Sequence, residues 1–414
     1  MHRPIDRCLC CDAPTLRGVL DFGLQPPANA YAATAAAAAG VPRHPLALNL
    51  CATCWHAQLS FAVDRRELFA HYAYVSGTSR TLTRFFDWFA AALARALPPR
   101  ARVLEIAAND GSLVRSMQAA GLNCTGIDPA ANIVAGARAA GLPVRLGWWP
   151  AAAAELDDLY DAVVCMNVLA HVDDPLAFLQ ACAPRLAPGG VVIVQPSQAR
   201  MFHNGEFDTV YHEHVSFFNT RSIAHLAQRA GLRLAGSAIV QVHGDSPVYL
   251  LRHAHEAGAA DALARSLREG EFGLDEDLQA YEQRVGLFGP EVYDRFRERA
   301  AAVMGRARAV VDEHRSGGFE IVFVGAAAKA LTLINAAGIV PDRLLDESPL
   351  KIGTHAPGCA CLVEPLQAAG AIARPALFVL SAWNFRHELT RKLRDIGVPE
   401  GSRFHAYLPE PAFL

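Results

Sequence analysis

Short apolar runs alternate with helix-length segments through the middle and the end of the chain. VLEI (103–106) predicts a strand, AANDGS a tight turn and LVRSMQAAG a helix ending at Gly121; CTGID then predicts a second strand ending at Asp128. This is strand–helix–strand with a loop at the carboxyl end of the first strand, where open parallel sheets bind ligands. Residues 161–166 predict a further strand that stops at Asn167, with His171 just beyond. PLAFLQACAPRL follows as a helix, Pro188-Gly189-Gly190 as a turn and VVIVQ as a strand. After HGDSPVYLLRHA (243–254), a charged, Ala-rich stretch to about residue 315 has helical spacing and predicts one or two surface helices. FEIVFVG (319–325), AAAKALTLINAAG and RPALFVLSAW (374–383) then repeat the strand–turn–helix–strand pattern. The pattern predicts an α/β fold with two Rossmann-like units.

The front of the chain breaks this rhythm. Cys8-x-x-Cys11 and Cys51-x-x-Cys54 flank a loop rich in Pro, Ala and Gly. Two such pairs can turn four thiolates toward one zinc ion, a closed and therefore structural site. Cys10 offers a fifth thiol at a spacing that makes poor pair geometry. Ordinary buried cysteines are the alternative. With 414 residues and about 150 per domain, three parts are expected: a zinc module at 1–75, a cofactor-binding Rossmann-like domain at 76–250, and a second Rossmann-like domain at 251–414.

Composition narrows the partners. Hydrophobic residues make up 52% and charged residues 19%, so large cores are expected. Thirty-eight Lys and Arg against 41 Asp and Glu leave a net charge of −3 and no basic excess for nucleic acid. The Ala-rich runs at 33–39 and 150–154 fall short of the ~20 residues a bilayer requires. MHRPIDRCLCC lacks the apolar region of a signal peptide. A cytosolic protein of small-molecule chemistry is expected.

The first turn is not G-x-G-x-x-G; only Gly111 is present. A pyrophosphate would lack its close backbone approach, whereas S-adenosylmethionine has ribose hydroxyls and an amino-acid tail but no pyrophosphate. Asp128, roughly 20 residues beyond the turn, suits a ribose, and Glu105 sits at the base of the loop. The helix, L-x-P-G-G and strand order is that of many class I methyltransferases. DTVYHEHVSFFN (208–219) adds two histidines around a glutamate. If this stretch is extended, His212 and His214 share a face and could grip a metal, although no H-E-x-x-H motif is present. Local packing and proton transfer are the other readings; an imidazole titrating near pH 6.5 is available as a base at pH 7.

With these motifs in order, the chain resembles the zinc-containing, S-adenosylmethionine-dependent C-methyltransferases that act on nucleotide-linked keto-deoxysugars in antibiotic pathways. The likeness is carried by the cysteine pairs, YAYVSGTS (72–79), LEIAANDGSL (104–113), FDTVYHEHVSFF (207–218), GAAAKALTLIN (325–335) and SPLKIGTHAPG (348–358). It implies His214 as the base that takes a proton beside a ketone. Glu213 and Tyr211 would orient it or stabilise the enolate oxygen, and Tyr74 would be an active-site tyrosine. Glu105, Ala107, Asn109, Gly111, Asp128, Asn167 and His171 fall on the cofactor side. Lys329, His243 and Lys351 fall on the acceptor side, with Lys329 equally readable as a solvated lysine in a first helical turn. Asp245, Pro247, Val248, Gln195 and Ala330 depart from the family pattern around the acceptor. An O- or N-methyltransferase of another natural product, and a non-catalytic protein that keeps the cofactor fold, are the alternative functions.

Overall fold

Strands whose sequences are continuously apolar sit where both faces of a sheet are covered, as parallel sheets require. A computed structural model describes residues 2–69, 77, 80–196, 199–256 and 261–414. YDAVVCM and ALFVL are each buried along nearly their whole length, at the centres of two different sheets.

The N-terminal strands are β1 (Arg3–Pro4), β2 (Leu16–Gln25), β3 (His44–Cys51), β4 (Ala57–Leu59) and β5 (Phe61–Ala62). β2, β3 and β4 form an antiparallel meander, and β1 pairs with β5.

The central sheet uses β6 (Arg102–Ile106), β7 (Asn123–Asp128), β8 (Val144–Leu146), β9 (Tyr160–Met166) and β10 (Leu186–Gln195) in parallel. β11 (Ser216–Phe217) leaves this domain and joins the edge of the N-terminal meander beside β4. β12 (Leu232–Val240), β13 (Ser246–His253) and β14 (Gly273–Leu274) return antiparallel, giving the order β14-β12-β13-β10-β9-β6-β7-β8. The expected Pro-Gly-Gly turn is absorbed into β10 as an irregularity, with register shifting between Leu186 and Val191.

Helix Arg80–Ala96 covers one face, burying Leu82, Phe85, Phe86, Phe89 and Leu93 at helical spacing. Each fully buried Phe there is worth about 1.5–3 kcal/mol. Asp174 caps helix Pro175–Cys182 by accepting from the Ala177 amide, with Pro175 in its first turn.

The last sheet holds β15 (Glu320–Val324), β16 (Arg343–Asp346), β17 (Val363–Pro365), β18 (Ala376–Leu380), β19 (Arg403–Ala406) and β20 (Ala412–Phe413). Its order, β17-β16-β15-β18-β19-β20, reverses between β15 and β18 and so opens a crevice at the carboxyl ends of those strands. Among the described residues, the stretch before it holds three helices, Asp261–Arg268, Leu278–Val285 and Glu291–Ser316, rather than one or two on the surface. The longest buries Val292, Tyr293, Phe296, Ala300 and Val303, because its Arg and Glu residues leave an apolar stripe intact.

Candidate active site

The four predicted cysteines converge. The Cys8 and Cys54 sulfurs are 3.5 Å apart, as are those of Cys11 and Cys51, and all four lie within 4.8 Å of one another. Four thiolates at about 2.3 Å from one zinc would stand about 3.8 Å apart, so the set fits a tetrahedral ion. The amides of Cys11 and Thr53 point at the Cys8 and Cys51 sulfurs, at 3.5 and 3.4 Å. Burial pushes the Cys11 thiol up to about 11, and a divalent cation is what holds such a set as thiolates. Cys10 is buried but lies outside the cluster.

The cofactor loop solves the missing-glycine problem by strain. Ala107, Asn109 and Gly111 have φ of 60°, 49° and 74°. Alternate positions thus adopt the left-handed backbone usually left to glycine, at a cost of order 1 kcal/mol for Ala107. A side chain at Gly111 would meet Leu142 at 2.7 Å. Asp128 braces the loop: its carboxylate accepts from the amides of Asn109 and Ala130, each at 2.8 Å. Burial raises its pKa and that of Glu105, the latter well above the usual range, with Asp128 and Asp110 adding to the effect. Asn167 also has positive φ, 51°, and neither its buried Oδ1 nor Oε2 of Glu105 has a hydrogen-bond partner among the described residues. A strained strand-end loop, a braced carboxylate and unpartnered buried oxygens fit a cofactor with ribose hydroxyls and an amino-acid tail.

Tyr211, Glu213 and His214 follow on one turn. The turn is not extended, so His212 and His214 do not share a face. His212 packs on His44, with ring centroids 6.0 Å apart, and points its Nε2 at the His44 carbonyl. The neighbouring His2–His44–Glu67 group is held by hydrogen bonds. His2 Nδ1 accepts from the Asp64 amide at 3.1 Å, which leaves Nε2 protonated toward Glu67 at 3.3 Å.

His214 is 7% exposed. Its Nδ1 lies 2.9 Å from the Thr209 carbonyl, which can only accept, so Nδ1 carries the hydrogen and Nε2 the lone pair. The Tyr211 hydroxyl meets Nε2 at 2.8 Å, and the His171 ring stands 4.9 Å away. Burial first, then His171 and Lys329, depress the His214 pKa well below 6.5. His171 thus packs against His214. Asn29 donates to Oε1 of Glu213 at 2.6 Å, and burial lifts the Glu213 pKa to about 7.

Lys351 donates to the Ala326 carbonyl at 2.7 Å, lies over the Tyr31 ring and helps hold Glu213 against that shift. Lys329, in the first turn of helix Ala328–Ala336, puts its ammonium 3.8 Å from buried Glu206 and 4.7 Å from the Trp383 ring. His243 is exposed at φ 52°, in electrostatic range of Lys329 and His214. Asp245, at φ 63°, pairs with Arg200 at 2.5 Å, and Arg200 with Glu276 at 2.7 Å, so its charge is balanced locally. Tyr74 lies outside the described residues.

Glu206, Asn29, Tyr31 and Asp208 escaped the sequence reading. Glu206 is a lone acid just before the FDTVYHEH run, a signal that was available; Asn29 and Tyr31 sit in a loop legible only as a spacer.

Three family models match in tandem: a zinc binding domain over residues 8–69, a methyltransferase domain over 74–235 and a C-methyltransferase C-terminal domain over 264–409. The chain is a three-module S-adenosylmethionine-dependent methyltransferase. C-methyltransferase NovU of Streptomyces niveus is 27% identical across 100% of this methyltransferase and 97% of its own length. The resemblance read from the motifs therefore runs end to end. A ubiquinone biosynthesis O-methyltransferase of Xanthomonas campestris is 39% identical over 24% of this chain, which spans 45% of that relative. Among solved structures, the mitomycin 7-O-methyltransferase MmcR aligns with 43% of this chain and 58% of its own at 20% identity, with a TM-score of 0.34. S-adenosylmethionine and zinc are the methyltransferase's cofactor and metal. No helix among the described residues is long and apolar enough to cross a membrane.

Proposed function

We propose that this methyltransferase adds a methyl group to carbon beside a carbonyl, on a nucleotide-linked keto-deoxysugar, with His214 as general base. One observation carries the reading: Nδ1 of His214 is committed to the Thr209 carbonyl, so Nε2 is a buried, neutral proton acceptor. A C–H bond has no lone pair to offer a methyl donor, so carbon methylation needs such a base. A heteroatom acceptor needs it far less.

S-adenosylmethionine, when bound, supplies the electrophilic methyl. Asp128 would accept from its ribose hydroxyls, while Asn167 and Glu105 offer oxygens to the rest of it. His214 Nε2 takes the α-proton, and the Tyr211 hydroxyl, 2.8 Å from that nitrogen, is within reach of the enolate oxygen or the transferred proton. The base lies in a dry site beside positive charge. It is deprotonated at neutral pH and needs an anionic acceptor or intermediate nearby to hold a proton once taken.

In this reading residues 1–75 carry the zinc, 76–250 the cofactor and 251–414 the acceptor's nucleotide. A cavity of about 240 Å³ at the carboxyl ends of β15 and β16 sets apolar Val324, Leu366 and Phe385 beside the carboxylates of Asp346, Glu347 and Glu388, a lining that suits the base and ribose of a nucleotide rather than its phosphates. Lys351 donates to the carbonyl of Ala326, next in sequence to the lining Gly325, and Lys329 lies against Trp383, next to the lining Ala382. NovU, similar along its whole length, supports carbon as the acceptor atom.

The test is hydrogen exchange. With S-adenosylhomocysteine and a panel of nucleotide-linked keto-deoxysugars in deuterated water, deuterium should enter the acceptor beside the carbonyl, and His214→Gln should abolish this. Methyl transfer from the active donor without such exchange in its absence would point to an oxygen or nitrogen acceptor.

A further inference from the structure

Asp208 is completely buried, one residue before the carbonyl that orients His214. Its Oδ2 accepts from the Trp383 indole at 2.9 Å and from the Tyr407 hydroxyl at 2.8 Å. Both donors belong to the C-terminal domain: Trp383 follows β18 and Tyr407 follows β19. Sinking a carboxyl among apolar groups costs several kcal/mol unless donors meet it, so a plain packing contact would have served more cheaply with an apolar residue. Phe207–Thr209 is a single tight turn, and Thr209 is itself fully buried with its hydroxyl on the Glu206 carbonyl at 2.8 Å. With the side chains on either side pinned, the Thr209 carbonyl has one direction left, and it meets Nδ1 of His214 at 2.9 Å.

We propose that Asp208 is a positioning residue for His214, fastening the base-bearing loop to the C-terminal domain through Trp383 and Tyr407 so that the Thr209 carbonyl holds the imidazole in one tautomer. The functional meaning of this clamp rests on His214 being the base. The same indole carries the Lys329 ammonium on its face at 4.7 Å. One side chain therefore touches both the base-bearing loop and the lysine placed toward the acceptor. The two halves of the site are assembled only when the domains are docked.

The test reads the imidazole directly. In long-range proton–nitrogen spectra of full-length, zinc-loaded protein with ¹⁵N-labelled histidine, wild-type His214 should show one protonated and one bare nitrogen, Nδ1 and Nε2 respectively. Asp208→Asn and Trp383→Phe should draw the two nitrogen shifts toward each other and move the His214 titration upward. The signals of His212, on the other side of the loop, should stay in place and report an intact fold. Turnover should fall at least tenfold in kcat, with S-adenosylmethionine affinity within twofold of wild type. Trp383→Phe leaves the carboxyl in place, so a folding failure of Asp208→Asn alone does not end the test. Unchanged His214 nitrogens in a folded variant would overturn the proposal. If the nitrogens move but His214→Gln keeps full turnover, the clamp stands and the base assignment fails.

Discussion

The Tyr211 hydroxyl lies 2.8 Å from Nε2 of His214, on the one imidazole nitrogen left free to take a proton. The pair shares a turn, with ring centroids 4.1 Å apart. Because the hydroxyl donates to a bare nitrogen, it stabilises the neutral imidazole and stays close to any proton that the ring acquires. His214→Gln should lower turnover by about 10²–10⁴-fold while leaving S-adenosylmethionine affinity unchanged. Tyr211→Phe keeps the base and should cost less, about tenfold. Steady-state kinetics with calorimetric cofactor binding separates the two effects. Full activity in His214→Gln would end the base assignment.

Asp128 holds the strand-end loop through the Asn109 and Ala130 amides, and in the proposed function it also receives the ribose. Charge-assisted hydrogen bonds are worth ~1.5–3 kcal/mol each, so Asp128→Ala should weaken S-adenosylmethionine binding by about 10–100-fold. Asp128→Asn, which cannot match both sets of donors, should fall between. Titration calorimetry with S-adenosylhomocysteine measures both.

Zinc should be present at one ion per chain by elemental analysis. Its loss should reach the active site, because Cys51 ends β3, β4 follows Cys54, and β4 pairs with β11, two residues past His214. Cys51→Ser or strong chelation should therefore lower the melting temperature and turnover together. A zinc-free protein with wild-type melting would refute the site.

Buried His212 sets an acid limit. Desolvation takes its folded pKa to about 4, below the unfolded 6.5. Its neutral ring therefore contributes stability that is present above pH 6.5 and lost as pH falls toward 4, up to about 3 kcal/mol at 1.36 kcal/mol per unit. Other buried histidines, His214 among them, are depressed in the same direction, so urea unfolding at pH 7 and pH 4.5 should show the summed loss, and His212→Gln should make it smaller without abolishing it.

Glu213 works in the opposite direction. Burial raises its pKa from 4.5 to about 7, so its favourable neutral form is present below pH 4.5 and is lost as pH rises through 7. At pH 8 the buried charge persists, with Asn29 and Lys351 beside it. Glu213→Gln should therefore unfold at higher urea at pH 8, by about 1–3 kcal/mol, while losing activity. Such a trade is expected where a charge is kept for function.

Local sequence was enough for most of the frame. Strands VLEI, CTGID and YDAVVCM are apolar runs bounded by turn residues and appear within a residue of their reading, while ALFVL forms the middle of the longer strand expected at 374–383. The cysteine pairs needed only their spacing, since two residues between thiols suffice to turn both toward one ion. His214 was reachable because the residues that make its motif are consecutive. What local pattern cannot encode is which distant groups meet. Nothing in PPANAY announces that Asn29 reaches Glu213 across 184 positions, or in AWNF that Trp383 reaches Asp208 across 175. Left-handed backbone at Ala107 was likewise invisible, because alanine does not advertise a positive φ. Periodicity and spacing act over a few residues and settle elements and ligand pairs. The tautomer of His214, the charge on Glu213 and the join between domains depend on burial and on partners that only the folded chain brings together.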